Sequence, residues 1–272
     1  MSATSDWITV GALADGFMPE AFLLPHVEDF AGKTHVLHFA RGGAIEHRFE
    51  ADQLHWHAAD GHSTGSAPYR ATALRPGIYL VDVVKHERGR HWSISLVIDV
   101  SAQVFTAVIG ALPSEADTQR GLYGRALAGE PLTGVQAQIL HGSLDDASRA
   151  DSCHHQPTDQ LVGLRNRYRY SPTEVYDHIY LTEQYYTWLC VKGVEQGLCD
   201  TDRCHYIAIA PDLTLFVWRE KIVPTLGLVL IDLAAHRSDG KIFGYAGEDF
   251  TQVSNFPVAS HCQVISRLEQ PA

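Results

Sequence analysis

Apolar and polar residues alternate along most of the chain, as in β-strands, whose successive side chains point to opposite faces. The alternation is clear in His35–Phe39, Ile78–Val84 and Ser93–Asp99. Short turn sequences separate such segments, among them Arg75-Pro-Gly77 and Ser238-Asp-Gly240. Strands that are joined in order by short turns predict an antiparallel meander.

The two halves of the chain repeat one order of landmarks. Each landmark of the first half has a counterpart 131 to 137 residues later. The pairs are Gly32 and Gly163, His47 and His178, Trp56 and Trp188, Tyr69 and Tyr206, Asp99 and Asp232, and Gly110 and Gly244. Six pairs in one order indicate an internal duplication. A meander of about seven or eight strands, if it closes, makes a barrel just wide enough to hold one small ligand.

We therefore predict an all-β fold of two tandem antiparallel meander barrels, with a short helix and a linker between them. The helix is expected over Ser114–Leu127, because Ser114 followed by Asp117 forms a capping signal. Last strands are expected at Thr133–His141 and Ser260–Ser266. The predicted domains are an N-terminal extension (1–30), barrel 1 (31–144), a linker (145–160) and barrel 2 (161–272).

Composition and charge narrow the class of partner. The chain of 272 residues is 45% hydrophobic and 19% charged, which fits a folded core. Its formal net charge of -11 argues against nucleic acid and against an anionic membrane surface. We expect a small-molecule partner and leave the oligomeric state open, with a homodimer as one option. The five cysteines form no disulfide framework and no signal peptide is apparent, so we expect a cytoplasmic protein.

The stretch RYRYSPTEVYDHIYL, residues 167–181, is rich in tyrosine at strand spacing. Tyr168 and Tyr170 would share one strand face, and so would Tyr176, His178 and Tyr180. Two phenol hydroxyls on one inner face can donate hydrogen bonds to a carboxylate or carbonyl oxygen. The alternative is that these tyrosines are simply amphipathic strand residues.

A second group of candidates comes from the sequences Trp218-Arg-Glu220 and Asp200-Thr-Asp-Arg-Cys-His205. Trp218 and Glu220 would share the inner face, where burial raises the pKa of a carboxyl and suits it to acid–base work. The residues 200–205 are expected to form a rim loop that brings Arg203 to the barrel mouth. The alternatives are a Glu220 paired at the rim with a neighbouring cation, and an Asp202–Arg203 salt bridge. Trp188 and Trp218 are predicted aromatic contacts for a ligand.

The 16 histidines include His55 and His57 on one strand face. Their counterparts beside Trp188 are Thr187 and Leu189, and the spacing around the cysteines is irregular for a metal site. We predict no metal and no cofactor.

The whole chain resembles the molybdenum cofactor biosynthesis protein F family, a tandem pair of lipocalin-like domains. The matching segments are VGALADGFMPE and GKTHVLHF in the first half, and YSPTEVYDHIYLTEQYYTW, DTDRCHY and LFVWREKIVPTLGLVLIDL in the second. The resemblance implies two lipocalin-like barrels and a link to molybdopterin biosynthesis.

The C-terminal half also resembles phenolic acid decarboxylases, which are lipocalin-like barrels. Gly163, the Tyr168-x-Tyr170 pair and Trp218-x-Glu220 follow that family's plan. The resemblance implies that the tyrosine pair holds a substrate carboxylate while a glutamate and an arginine serve proton transfer. Arg203 is the nearest arginine, at a shorter spacing to Trp218 than in that family.

Three functions stay open on this evidence. The first is a protein that binds a small aromatic or heterocyclic molecule in the second barrel, through Tyr168, Tyr170, Trp218, Glu220 and Arg203. The second is a cofactor-independent lyase or isomerase, in which the tyrosines fix a carboxylate and Glu220 is the general acid or base. The third is a pseudo-symmetric scaffold that binds a partner protein.

Overall fold

The computed structural model describes residues 6–87, 89–149 and 154–268. It contains two compact units. One comprises Leu24–Ala111 and Ala137–Gln156, and the other the chain up to Leu23, Leu112–Gln136 and the chain from Pro157 onwards. Each unit is built around one closed antiparallel barrel of eight strands, so the predicted all-β fold of two tandem barrels is confirmed.

Barrel 1 runs from β1 to β8 in sequence order, and β8 pairs with β1. Its core contains Leu37, Phe49 and Phe105, each at most 1% exposed. The strands are β1 (Thr34–Phe39), β2 (Ala44–Phe49), β3 (Gln53–Ala58), β4 (Thr64–Arg75), β5 (Ile78–Glu87), β6 (Arg90–Asp99), β7 (Val104–Ala111) and β8 (Gln136–Leu144).

Barrel 2 is a meander from β10 to β17, closed by antiparallel pairing of β17 with β10 and of β12 with β13. The two-residue strand β9 (Gln156–Pro157) lies beside β13. The strands of the barrel are β10 (Leu164–Arg169), β11 (Val175–Tyr180), β12 (Tyr185–Lys192), β13 (Cys199–Ala210), β14 (Leu213–Glu220), β15 (Thr225–Asp232), β16 (Arg237–Tyr245) and β17 (Val253–Arg267).

The same local geometry recurs in both barrels. Gly32 and Gly163 precede the first strand with positive φ of 76° and 83°, a conformation that glycine adopts without a steric penalty. His47 lies opposite Trp56 across β2 and β3, and His178 lies opposite Trp188 across β11 and β12. The duplication inferred from sequence therefore extends to strand register.

One landmark pair is offset in the structure. β4 and β13 each carry an irregularity before their hairpin turn, between Ala73 and Arg75 and between Ala208 and Ala210. If residues are counted back from these irregularities, Cys204 of β13 occupies the position that Tyr69 has in β4. Tyr206 lies two residues further along β13. Two residues along a strand return the side chain to the same face, so both tyrosines still point inward.

Two short helices replace the single predicted one in the segment before β8. They are α2 (Glu115–Thr118) and α3 (Leu122–Leu127). The predicted capping box is confirmed: the Asp117 amide donates to Ser114 Oγ, and the Asp117 carboxylate accepts from the Ser114 amide. The predicted linker contains a 3₁₀ turn at Ala147–Arg149, and its residues 150–153 lie outside the described part of the chain.

An additional helix, α1 (Val10–Phe17), belongs to the unit of barrel 2. Thr9 caps it by accepting a hydrogen bond from the Ala12 amide. Its apolar residues Val10 and Phe17 are buried in the core of barrel 2. Among the described residues, none of the helices has the length and apolar character of a membrane span.

Candidate functional site

The interior of barrel 2 collects the aromatic residues that the sequence singled out. Alternate positions on β10, β11, β12 and β14 point into one core. The predicted residues buried there are Tyr168, Tyr170, Tyr176, His178, Tyr180, Trp188 and Trp218. Tyr186, Tyr206 and Phe216 complete the aromatic lining.

Tyr168 forms an internal hydrogen-bond network and is fully buried. Its hydroxyl shares a 2.6 Å hydrogen bond with the Tyr180 hydroxyl and accepts one of 3.1 Å from the Asn166 amide. The protein's own side chains thus satisfy Tyr168. Asn166 Oδ1, in the same network, is buried and has no partner among the described residues.

His178 lies in the middle of the aromatic lining. Its ring centroid is 4.7 Å from that of Tyr168, 5.3 Å from Tyr186 and 5.9 Å from Trp218. Burial lowers the pKa of His178 to about 3, so the imidazole is neutral at pH 7. Its Nδ1 atom is buried without a hydrogen-bond partner in the described part of the chain.

Two further hydroxyls in this interior are unpaired. Within the described residues, neither the Tyr170 nor the Tyr186 hydroxyl has a hydrogen-bond partner. Both side chains are at least 96% buried, and burial raises the pKa of each above its ordinary value. They are therefore neutral donors at physiological pH.

Glu220 ends β14 on the inner face, as predicted. Its carboxyl accepts a 2.8 Å hydrogen bond from Trp218 Nε1. Burial, with a contribution from the carboxyls of Asp202 and Glu195, raises the pKa of Glu220 well above its usual value. The residues that the structure describes include no ion pair to Glu220. The raised pKa favours the protonated form of Glu220, which can donate a proton or a hydrogen bond.

Two more carboxyls lie at the same end of the barrel. Burial raises the pKa of Glu174 to about 7, and it also raises the pKa of Glu195. Glu174 Oε1 accepts from the Val194 amide at 3.2 Å, and Glu195 Oε2 accepts from the Tyr176 hydroxyl at 3.1 Å. Oε2 of Glu174 is buried and has no partner among the described atoms.

Helix α1 packs at this end of the barrel. The Phe17 ring lies 5.0 Å from Tyr170 and 5.5 Å from Tyr176, measured between centroids. Trp7, just before the helix, meets Trp188 edge to face at 5.9 Å. The end that carries Glu220 is thus walled by residues that are distant in sequence.

Residues 200–205 do not form the expected rim loop. They are part of the long strand β13, so this prediction was wrong. Part of the length difference between the two copies lies in β12, which has eight residues against six in β3, whereas β13 and β4 both have twelve. Asp202 points inward and accepts from Trp188 Nε1 at 3.3 Å, and it also bonds Lys221 instead of Arg203.

Arg203 lies on the other face of β13 from Cys204 and Tyr206, whose side chains are in the core. Its guanidinium donates to Gln184 Oε1 and stacks 4.5 Å from the centroid of Tyr185. Strand parity therefore places Arg203 outside the barrel, whereas Glu220 points inward. The structure does not bring these two predicted partners together.

Barrel 1 has an apolar interior at the matching positions. Leu37 and Phe39 stand where Tyr168 and Tyr170 stand in barrel 2, since β1 and β10 have the same register against their neighbours. At these two positions, barrel 2 carries hydroxyl groups where barrel 1 carries apolar side chains.

Comparison with known proteins places the chain in a family. The family model described as MoaF N-terminal domain matches residues 5–114, and that described as MoaF C-terminal domain matches residues 155–268. The chain belongs to the MoaF family. Within this family, Protein MoaF of Klebsiella aerogenes is 43% identical over 274 residues, which is 98% of each chain. The resemblance to molybdenum cofactor biosynthesis protein F is thereby confirmed.

A solved structure of a proposed beta-lactamase from Burkholderia vietnamiensis has 15% identity and a TM-score of 0.34, over 40% of this chain and 98% of that one. This likeness is too slight to inform the function of a MoaF family member.

Several residues of this interior were not singled out from the sequence. Asn166, Glu174, Tyr186 and Glu195 are four of them. Tyr186 could have been found, because it lies two residues before Trp188 on one strand face. Glu174 and Glu195 come from turns, where sequence alternation gives no direction to a side chain.

Proposed function

We propose that barrel 2 binds a small aromatic or heterocyclic molecule in its tyrosine-rich interior, at the end that carries Glu220. The observation that carries this proposal is a set of buried polar atoms without partners among the described residues: His178 Nδ1 and Asn166 Oδ1. A buried polar atom left unpaired costs about 1–3 kcal/mol, and a ligand or bound water that pairs it recovers that cost. At the matching positions of barrel 1, His47 Nδ1 is hydrogen-bonded to the Ile45 carbonyl and His35 Nδ1 to Asp145 Oδ2.

The chemistry of the site favours a flat, partly polar ligand. Trp188 and Trp218 offer ring faces and edges for stacking. The free hydroxyls of Tyr170 and Tyr186 are donors for a carbonyl or carboxylate oxygen. Tyr168, which was expected to share this role, is already paired with Tyr180 and Asn166. We therefore assign ligand contact to Tyr170 and Tyr186 ahead of Tyr168.

A double variant tests this assignment. Tyr170→Phe with Tyr186→Phe is expected to weaken binding about 10–100-fold, since each lost hydrogen bond is worth about 0.5–1.5 kcal/mol. Native mass spectrometry of the freshly purified protein would identify a co-purified ligand, and tryptophan fluorescence titration would then measure its affinity. The exposed Tyr123→Phe is the matched control and should bind like the wild type.

Equal affinity in the double variant and the control would contradict the assignment. A pure apo mass, together with no binding across a screen of aromatic and heterocyclic carboxylic acids, would contradict the binding function itself. The scaffold alternative would then be favoured.

A lyase or isomerase is the second candidate, and the raised pKa of Glu220 favours it. A half-buried carboxyl that is hydrogen-bonded to Trp218 and has a raised pKa suits a general acid that protonates a substrate carbon without a cofactor. We expect Glu220→Gln to lower turnover of phenolic acids at least 100-fold, within the usual range for a general acid, while ligand affinity changes little. Glu248→Gln, at an exposed position, is the control. Full activity of Glu220→Gln would exclude this role.

We also propose a cytoplasmic location. The supporting observation is that Cys190, Cys199, Cys204 and Cys262 are all free thiols.

A further inference from the structure

A cleft lies on the outer side of barrel 2, away from the tyrosine-rich interior. It has a volume of about 180 Å³, well above the roughly 10–15 Å³ that one water requires. It is lined by the segment 129–133, by residues of β12 and β13, including Asp202, and by the end of β14. The charged or hydroxyl-bearing residues of its lining include Tyr185, Thr201, Arg203, Arg219 and Lys221.

Two arginines lie side by side at this cleft, on neighbouring strands. Arg203 on β13 and Arg219 on β14 are direct cross-strand partners. Among the described residues, neither forms an ion pair with a carboxylate. Arg203 is held by Gln184 and by the Tyr185 ring. Arg219 Nη1 donates to the Val135 carbonyl at 3.3 Å, and its Nε atom is buried with no acceptor within the described chain.

The neighbouring charges do not neutralise this pair. The Lys221 ammonium is 2.5 Å from Asp200 and 3.4 Å from Asp202, which satisfy it. Glu130, the remaining carboxylate of the lining, is 2.9 Å from Arg120 and 3.7 Å from Arg125. Each carboxylate of the cleft is thus engaged by another cation. The guanidinium charges of Arg203 and Arg219 are therefore not paired with a carboxylate among the described residues.

Such an arrangement costs stability unless something offsets it. Like charges directly opposite on neighbouring strands repel, and a partly buried N–H without an acceptor loses its hydration. The pKa of Arg219 is lowered by burial and then by Arg203. The chain carries 32 acidic residues against 21 Lys and Arg, so the absence of a partner here does not reflect a shortage of acids.

We propose that this cleft binds a small oxyanion, the phosphate or carboxylate group of a small molecule, between Arg203 and Arg219. The planar fork of each guanidinium matches the oxygen geometry of either group. The buried Arg219 Nε–H would gain its missing acceptor, and the anion would remove the repulsion between the two cations. Tyr185 also lines the cleft, and its hydroxyl would be a further donor.

Titration calorimetry with inorganic phosphate and with acetate, in chloride buffers of equal ionic strength, tests the proposal and separates its two ligand sources. We expect one of the two anions to bind the wild type with a dissociation constant of 1 mM or below, on the order of −4 kcal/mol or better. Arg203→Gln and Arg219→Gln should each weaken binding at least tenfold. Arg48→Gln, an exposed arginine of barrel 1 paired with Glu50, should bind like the wild type.

A measurement on the unaltered protein guards against variants that fail to fold. Phenylglyoxal modifies accessible arginines, and peptide mass spectrometry maps the sites. The bound anion should slow modification of Arg203 and Arg219 at least threefold and leave that of Arg48 unchanged. Two results would overturn the proposal: no binding of either anion, or equal binding and equal protection at all three arginines. Because Tyr170 and Tyr186 lie inside the barrel, their variants should keep the anion affinity of the wild type.

Discussion

Replacing Phe17 by alanine is expected to lower the free energy of unfolding of barrel 2 by about 3–5 kcal/mol. The Phe17 ring is 4% exposed and packs against Tyr170, Tyr176 and Phe256 at centroid distances of 5.0, 5.5 and 5.8 Å. Its removal would leave a cavity lined by rigid aromatic rings that cannot collapse to fill it. Urea denaturation followed by tryptophan fluorescence measures the loss.

The neighbouring residue supplies the control for this experiment. Met18 is 48% exposed, so Met18→Ala should change the free energy of unfolding by less than about 0.5 kcal/mol. Trp56 and Trp92 would be replaced by phenylalanine in all variants, so that fluorescence reports barrel 2 alone. A loss below 1 kcal/mol for Phe17→Ala would mean that α1 adds little to the stability of this barrel.

Replacing His178 by leucine is expected to remove a large part of the acid sensitivity of barrel 2. Burial lowers the pKa of His178 to about 3 in the folded protein, against 6.5 for a histidine exposed to water. Between these values the unfolded chain binds the additional proton. The wild type therefore loses stability as the pH falls below 6.5, by about 3 kcal/mol between pH 7 and pH 4 from this residue. The leucine variant lacks that contribution.

The measurement is the free energy of unfolding at pH 7 and at pH 4 for both proteins. Glu174 acts in the opposite sense, because its raised pKa of about 7 stabilises the folded state less as the pH rises from 4.5 to 7. The contribution of Glu174 is the same in the wild type and in His178→Leu, so it cancels when their pH dependences are compared. His62→Gln, at an exposed position, should keep the wild-type dependence. An identical pH dependence in His178→Leu would show that the imidazole is hydrated in the folded protein.

The strand pattern predicted the fold well because alternation is a local property. A strand such as Tyr185–Lys192 alternates because one of its faces is buried, and burial can be read from neighbouring residues. Helix α1 also left a local signal that was missed: Val10, Leu13, Ala14 and Phe17 repeat at helical spacing after the capping residue Thr9. The docking of α1 on barrel 2 left no local signal in the sequence, since the residues that it contacts, Tyr170 and Phe256, are far along the chain.

The candidate site could be predicted only in part for a similar reason. The alternation of side chains along a strand correctly predicted that Tyr168, Tyr170 and Glu220 lie on inner faces. Whether a hydroxyl is free or already paired depends on a residue across the barrel, as with Tyr168 and Tyr180. The side to which Arg203 points depended on residues 200–205 being a strand, and their polar composition suggested a loop.

The docking of α1 on β16 and β17 bears on how the protein is made. Residues 10–17 leave the ribosome before β16 and β17, and Phe256, which Phe17 contacts, is synthesised about 240 residues after Phe17. At about 5–20 residues per second, the apolar face of α1 waits on the order of tens of seconds for its partner strands. Barrel 1 can close in that interval, but barrel 2 cannot be completed. During that wait the helix of one nascent chain can dock on a finished barrel of another, which makes exchange of this segment between neighbouring molecules the characteristic assembly error of this fold.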